Sequence, residues 1–214
     1  MKKIILILCI ALLSGCISIL TPKKENYVLT YNMELSEVKM NDTIMPLPES
    51  GMSYEDSSIN VSFKQELTNL VLSIGNITND AINLDWEKSS WVDTNSIAER
   101  FMRSGEKYSE RNDKQDVLSI PGNFTISNKI TPNHLIFYDK DLGWREKDLF
   151  RWTNKNLDKI RSIESSYGSK SVHVTLCIKI KEKECHYDFK FKLIDPVIQF
   201  KGNPINPETI KQTK

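Results

Sequence analysis

The residues best suited to chemistry in this chain are few: His134, His173 and His186, with Cys177 and Cys185 near the C-terminus. Imidazoles and thiols are zinc ligands in kind, but zinc needs three or four of them converging. The spacing argues against convergence. Val172, Val174, Leu176, Ile178 and Ile180 alternate with polar residues, Glu182-Lys183 supplies a turn, and Cys185, Tyr187, Phe189, Phe191 and Leu193 alternate back. That is the pattern of a hairpin with one apolar face. Burying Ile178 and Phe189 together sets odd positions opposite even ones, so Cys185 joins the apolar face and Cys177 the other, beside Thr175 and Lys179. Thiols on opposite faces bridge only where a bulge intervenes. One buried and one partly exposed thiol are expected. His173 and His186 share the polar face about six pairings apart, with Cys177 diagonal to His186, which gives two donors at best. Neither a metal site nor a cofactor is expected.

The carboxylates are equally sparse in signal. Asp139-Lys140-Asp141-Leu142-Gly143 has the outline of a calcium loop, but the third acid is missing and Phe150 stands where a closing glutamate belongs. A solvated turn is expected there. Asp85, Glu87 and Asp93 lie near Trp86 and Trp91, a set that could line a carbohydrate platform, although core tryptophans explain it more simply. No nucleophile elbow, phosphate-cradling glycine loop or zinc-helix motif occurs. An enzyme is not expected.

The N-terminus is more specific. Lys2-Lys3 precede an uncharged run from Ile4 to Leu13, followed by Ser14-Gly15-Cys16. A basic start, a short apolar stretch and small residues make up a secretory signal. Ten apolar residues span about 15 Å as a helix, half a hydrocarbon core, so a permanent transmembrane span is the weaker reading. Leu13-Ser14-Gly15-Cys16 resembles the lipobox of bacterial lipoproteins at all four positions. The resemblance implies cleavage after Gly15, a diacylglyceryl group on the Cys16 thiol and acylation of the new amine. Cys9 is excluded as the acceptor because Leu8 stands where a small residue is required. Two or three acyl chains anchor firmly, at about 0.8 kcal/mol per buried methylene. Ile17 follows the cysteine, and the lack of an aspartate there resembles the outer-membrane default of bacteria with two membranes; with a single membrane the same anchor places the domain on its outer face.

Around these residues the pattern is that of strands. Removing residues 1–15 leaves 214 − 15 = 199 residues and 29 − 2 = 27 basic against 28 acidic side chains. This near-zero balance gives no electrostatic case for nucleic acid. Tyr27–Tyr31 reads as a first strand, and Asn41 to Asp56 as loop. Ile59, Val61 and Phe63 alternate, and Asn69 to Thr78 is apolar, with Gly75 marking a bulge or a close approach. Asn79-Asp80 turns into Ala81 to Trp86, which Trp91-Val92 extends. Ile97 to Met102, Phe124 to Ser127 and Leu135 to Tyr138 are further strand candidates, and Ser104 to Asp116 is polar loop. Leu157, Ile160, Ile163 and Tyr167 recur at helical spacing, with Thr153 as cap and Gly168 as terminator. Asp195-Pro196 ends the final strand.

The expectation is a mostly β protein, an immunoglobulin-like antiparallel β-sandwich with one short helix. Residues 1–15 form the signal, 16–25 a tether, 26–195 the sandwich and 196–214 a flexible tail. The expected role is a membrane-anchored, extracytoplasmic, non-catalytic binding, scaffolding or envelope-assembly subunit. Its expected partners are the membrane, through the lipid on Cys16, and another envelope protein. The alternatives are an envelope hydrolase acting on glycan or peptide, and a small-ligand or carbohydrate binder using a pocket between sheet and helix.

Overall fold

The computed structural model describes residues 26–47 and 51–200, with the backbone of Asn203–Pro204. The signal, Gly15, Cys16 and the tether lie outside the described residues. Two antiparallel sheets pack face to face, the sandwich that the alternating patterns predict and a plan shared with immunoglobulin-like domains.

The larger sheet runs β13 (Arg151–Asn154), β1 (Tyr27–Met40), β15 (Lys183–Phe200), β14 (Ser171–Ile180), β6 (Ile82–Val92) and β7 (Ala98–Glu99). Three short strands join its flanks: β2 (Thr43–Ile44) on β1, β9 (Val117–Ile120) on β6, and β16 (Asn203–Pro204) on β15. The smaller sheet runs β3 (Ser53–Glu55), β4 (Ile59–Gln65), β5 (Leu70–Asn76), β10 (Thr125–Pro132) and β8 (Phe101–Arg103). A separate hairpin pairs β11 (Ile136–Asp139) with β12 (Gly143–Glu146).

The core lies where the apolar phases of the sheets meet. Val172, Val174, Leu176 and Ile178 of β14, and Tyr187, Phe189, Phe191 and Leu193 of β15, are all buried. Facing them, Phe63 of β4 sets its ring edge-on to Phe189 and Phe191, with centroids 5.1 and 5.0 Å away. Edge-to-face aromatic pairs add about 0.5–1.5 kcal/mol each beyond the area they bury. One polar anchor crosses this core. Asp56 Oδ2 accepts from the Tyr187 hydroxyl at 2.9 Å and the Tyr54 hydroxyl at 3.1 Å. Its Oδ1 accepts from the amides of Ser58 and Ile59. Burial, and then the Asp56 carboxylate, push both phenol pKa values well above the ordinary 10.

Several boundaries differ from expectation. β15 does not stop at Asp195-Pro196 but continues to Phe200, pairing Val197–Phe200 with Tyr27–Thr30. Asp195 takes φ +50° at an irregularity in the ladder, so the proline sits in a bulge where its missing N–H costs no regular bond. The sandwich therefore extends past 195, and the Phe200 ring lies 5.2 Å from that of Tyr27. β1 runs on to Met40, and the segment expected as loop after it holds β2 and β3. Gly75 is a close approach and not a bulge: the register of β5 is continuous, and a Cβ would lie 2.5 Å from Asn60 Oδ1.

The helix α1 (Leu157–Tyr167) is capped by Asn156, not Thr153. Asn156 Oδ1 accepts from the amides of Asp158 at 2.7 Å and Lys159 at 3.3 Å, whereas Thr153 belongs to β13. Gly168 closes the helix in a right-handed conformation, its amide donating to the Glu164 carbonyl. Ile160 is buried against the larger sheet, and the Tyr31 hydroxyl donates to the Glu164 carbonyl at 2.7 Å.

Candidate functional site

The helix end, the β11–β12 hairpin and the edge of the larger sheet enclose an open groove of about 660 Å³. Trp91 at the end of β6, Leu149 and Phe150 before β13, and Val172 at the start of β14 form its buried floor. The Trp91 and Phe150 rings stack at 6.2 Å and 30°. Trp152 and Tyr167 lie 4.6 Å apart and remain partly open, and Phe137 stands exposed on the hairpin side. A pocket lined by flat apolar rings with a few polar groups at its margin is the usual form of a ligand site.

The polar margin includes Asp93, Asn95, His134, Glu146, Asp148, Arg151 and Lys147, whose ammonium lies 5.4 Å from the centroid of the Phe137 ring. Its carboxylates are already engaged. Asp93 Oδ1 accepts from the amides of Asn95 and Ile97 and fixes the turn after β6. Glu146 accepts from Thr68 Oγ1 at 2.6 Å and from the Tyr108 hydroxyl at 2.9 Å. Burial and then that carboxylate raise the Tyr108 pKa. Asp148 pairs with Arg151 at 3.2 Å. His134 is held through Nδ1 by Glu99, whose other oxygen accepts the His134 amide at 2.9 Å. These groups hold the chain in place, and the groove they frame is suited to binding.

The other singled-out residues fall elsewhere. Trp86 is buried in the core, edge-on to Phe101 at 5.7 Å, and offers no sugar platform. Its neighbour Asp85 caps the amides of Glu87 and Lys88, and Glu87 pairs with Arg100. Of the set around the two tryptophans, Trp91 and Asp93 reach the groove. Asp139 Oδ1 accepts from the amides of Asp141 and Leu142, the solvated turn expected of that segment. His173 Nδ1 lies 2.9 Å from the Asp188 carboxylate, which accepts.

The hairpin departs from expectation in a detail that matters. Its turn is Lys181-Glu182, because Ile180 pairs with Lys183 and Lys181 takes φ +55°. Parity is unchanged, so Cys177 and Cys185 occupy opposite faces and both thiols are free. The register, however, moves by two residues. Cys177 now stands directly opposite His186, and His173 pairs with Lys190, 177 − 173 = 4 positions away. Cys177 is also buried, against the expectation of partial exposure. Burial, then Glu184, push its thiol pKa up to about 11. Glu184 adds a third donor that spacing did not suggest: one ligand atom each from Cys177, Glu184 and His186 lie within 4.8 Å of one another.

No helix among the described residues is long and apolar enough to cross a membrane. No family model matches the chain, and no curated protein and no solved structure matches it either.

Proposed function

We propose that the chain is a lipid-anchored extracytoplasmic binding subunit that captures a segment of another envelope protein in the Trp91–Trp152–Tyr167 groove. The groove carries this reading. It combines a rigid aromatic floor with a margin of acids and bases whose hydrogen bonds hold their own loops. Partly exposed aromatic rings supply most binding energy at interfaces, since they bury large area with few rotors to freeze. The lipobox resemblance of Leu13-Ser14-Gly15-Cys16 supplies the anchor. An anchor raises the effective concentration of the groove near membrane partners without adding any contact.

A second reading, a carbohydrate ligand, is favoured by one observation. Trp152 and Tyr167 form a partly open aromatic pair beside Asn95 and Arg151, a combination that stacks on a sugar face and reads its hydroxyls. The test is affinity capture on immobilised full chain from envelope extracts, comparing wild type with Trp152→Ala. A captured protein lost with Trp152→Ala supports the first reading. A captured glycan lost in the same way supports the second. Capture unaffected by the substitution overturns both.

A further inference from the structure

The outer face of the larger sheet carries a cluster that the groove does not use. Asp85 of β6, Cys177 of β14 and His186 of β15 form one row across three adjacent strands, because Cys177 pairs with Asp85 on one side and His186 on the other. Glu184, two residues before His186, points to the same face and lies 3.0 Å from His186 Nε2. The thiol lies buried at the base, while Glu184 and His186 stand 43% and 48% exposed at the mouth. The cluster already attracts a cation: the Lys88 ammonium pairs with Glu184 and lies 3.9 Å from Asp85 Oδ2.

We propose that Cys177, Glu184 and His186 bind one zinc ion in place of the Lys88 ammonium, with Asp85 adding negative charge and water filling the fourth position. One sulfur, one imidazole nitrogen and one carboxylate oxygen are a zinc set, and a soft thiolate excludes magnesium and calcium. Zinc holds sulfur at about 2.3 Å and nitrogen or oxygen at about 2.1 Å, so tetrahedral ligand atoms lie roughly 3.3–3.8 Å apart. Donors spread over at most 4.8 Å reach that spacing by small rotations of the two exposed side chains, with Cys177 fixed by packing. On coordination the thiol loses its proton to solvent, and Lys88 swings away into water. Glu184 and His186 belong to one strand and Cys177 to the next, so the ion clasps the β14–β15 hairpin near its turn.

The experiment is a zinc titration of the reduced, metal-stripped, tag-free full chain against a chromophoric chelator, repeated with cobalt to read thiolate-to-cobalt absorption. Wild type is expected to bind one zinc ion per chain, to melt at higher temperature with zinc, and to show the cobalt–thiolate band. His186→Ala and Glu184→Gln, both at exposed positions, are expected to weaken binding by about tenfold or more. Cys177→Ser abolishes the cobalt band, Cys185→Ser on the opposite face retains it, and Lys88→Met tightens zinc binding. Cys9 and Cys16 remain in every variant, so a signal surviving Cys177→Ser arises elsewhere. The proposal is overturned if wild type binds no zinc at micromolar protein, if the cobalt–thiolate band survives Cys177→Ser, or if affinity is unchanged in both His186→Ala and Glu184→Gln.

Discussion

Replacing Asp56 by alanine isolates the polar anchor between the sheets. Its Oδ2 is the acceptor for two buried phenols, Tyr187 at 2.9 Å and Tyr54 at 3.1 Å, each no more than 2% exposed. Leaving a buried donor without its acceptor costs about 1–3 kcal/mol, and two are stranded at once. The amides of Ser58 and Ile59 also lose an acceptor but can turn to water, because Asp56 stands at the margin of the core. The expected loss is about 3–5 kcal/mol, a large part of the roughly 5–15 kcal/mol that holds a domain together. With a urea dependence of about 2 kcal/mol per M, the unfolding midpoint falls by roughly 1.5–2.5 M. Tyr187→Phe in the Asp56→Ala background removes one stranded hydroxyl and recovers part of that loss. The two substitutions are thus expected to couple by about 1–2 kcal/mol in a double-mutant cycle. A loss under about 1 kcal/mol, or strict additivity of the pair, would refute the reasoning.

The same phenols set an alkaline limit. Their folded pKa values lie above the unfolded value of about 10, so their contribution is full below pH 10 and is lost as pH rises beyond it. Melting temperature followed by circular dichroism from pH 8 upward should fall above about pH 10, and less steeply in Tyr187→Phe. Gly122→Ala should destabilise more than Gly75→Ala under urea. Its Cβ would run into the backbone carbonyl oxygens of Asn79 and Thr78, whereas that of Gly75 meets side-chain atoms of Asn60 and Thr125 that can swing aside. Cys16→Ser should leave an unlipidated precursor that retains its signal in an intact-mass spectrum. A Cys16→Ser product shortened to residue 16 would break the link between thiol acylation and cleavage.

How far the sequence reveals this molecule depends on where its patterns stay regular. The β14–β15 hairpin is legible because apolar residues fall at every second position from Val172 to Ile180, and parity alone places Cys177 and Cys185 on opposite faces. The alternation of β1 is legible only to Tyr31. Its buried positions run Tyr31, Met33, Leu35 and then slip to Val38 at a ladder irregularity, which breaks the period of two amid Glu34, Glu37 and Lys39. The end of β15 was hidden by Pro196, which reads as a terminator but sits in a bulge. β9 and β13, at four residues each, are too short to show a period. The groove was anticipated only as a pocket between sheet and helix. Trp91, Phe137, Trp152 and Tyr167 come from four separate elements, and no local spacing joins them. The third donor beside Cys177 was missed for a smaller reason. Whether Lys181-Glu182 or Glu182-Lys183 forms the turn depends on which residue takes a positive φ, and neither is glycine or asparagine.

Site-specific photocrosslinking in living cells tests whether this tethered module binds through its groove. A photoreactive residue replaces Phe137 at the groove, and in a second strain replaces Phe124, which is more exposed than Phe137 but does not line the groove. The expected result is a discrete crosslinked envelope protein from position 137, none from position 124, and loss of the product when Cys16→Ser leaves the chain unlipidated and unprocessed. The same product from both positions, or from neither, would contradict it.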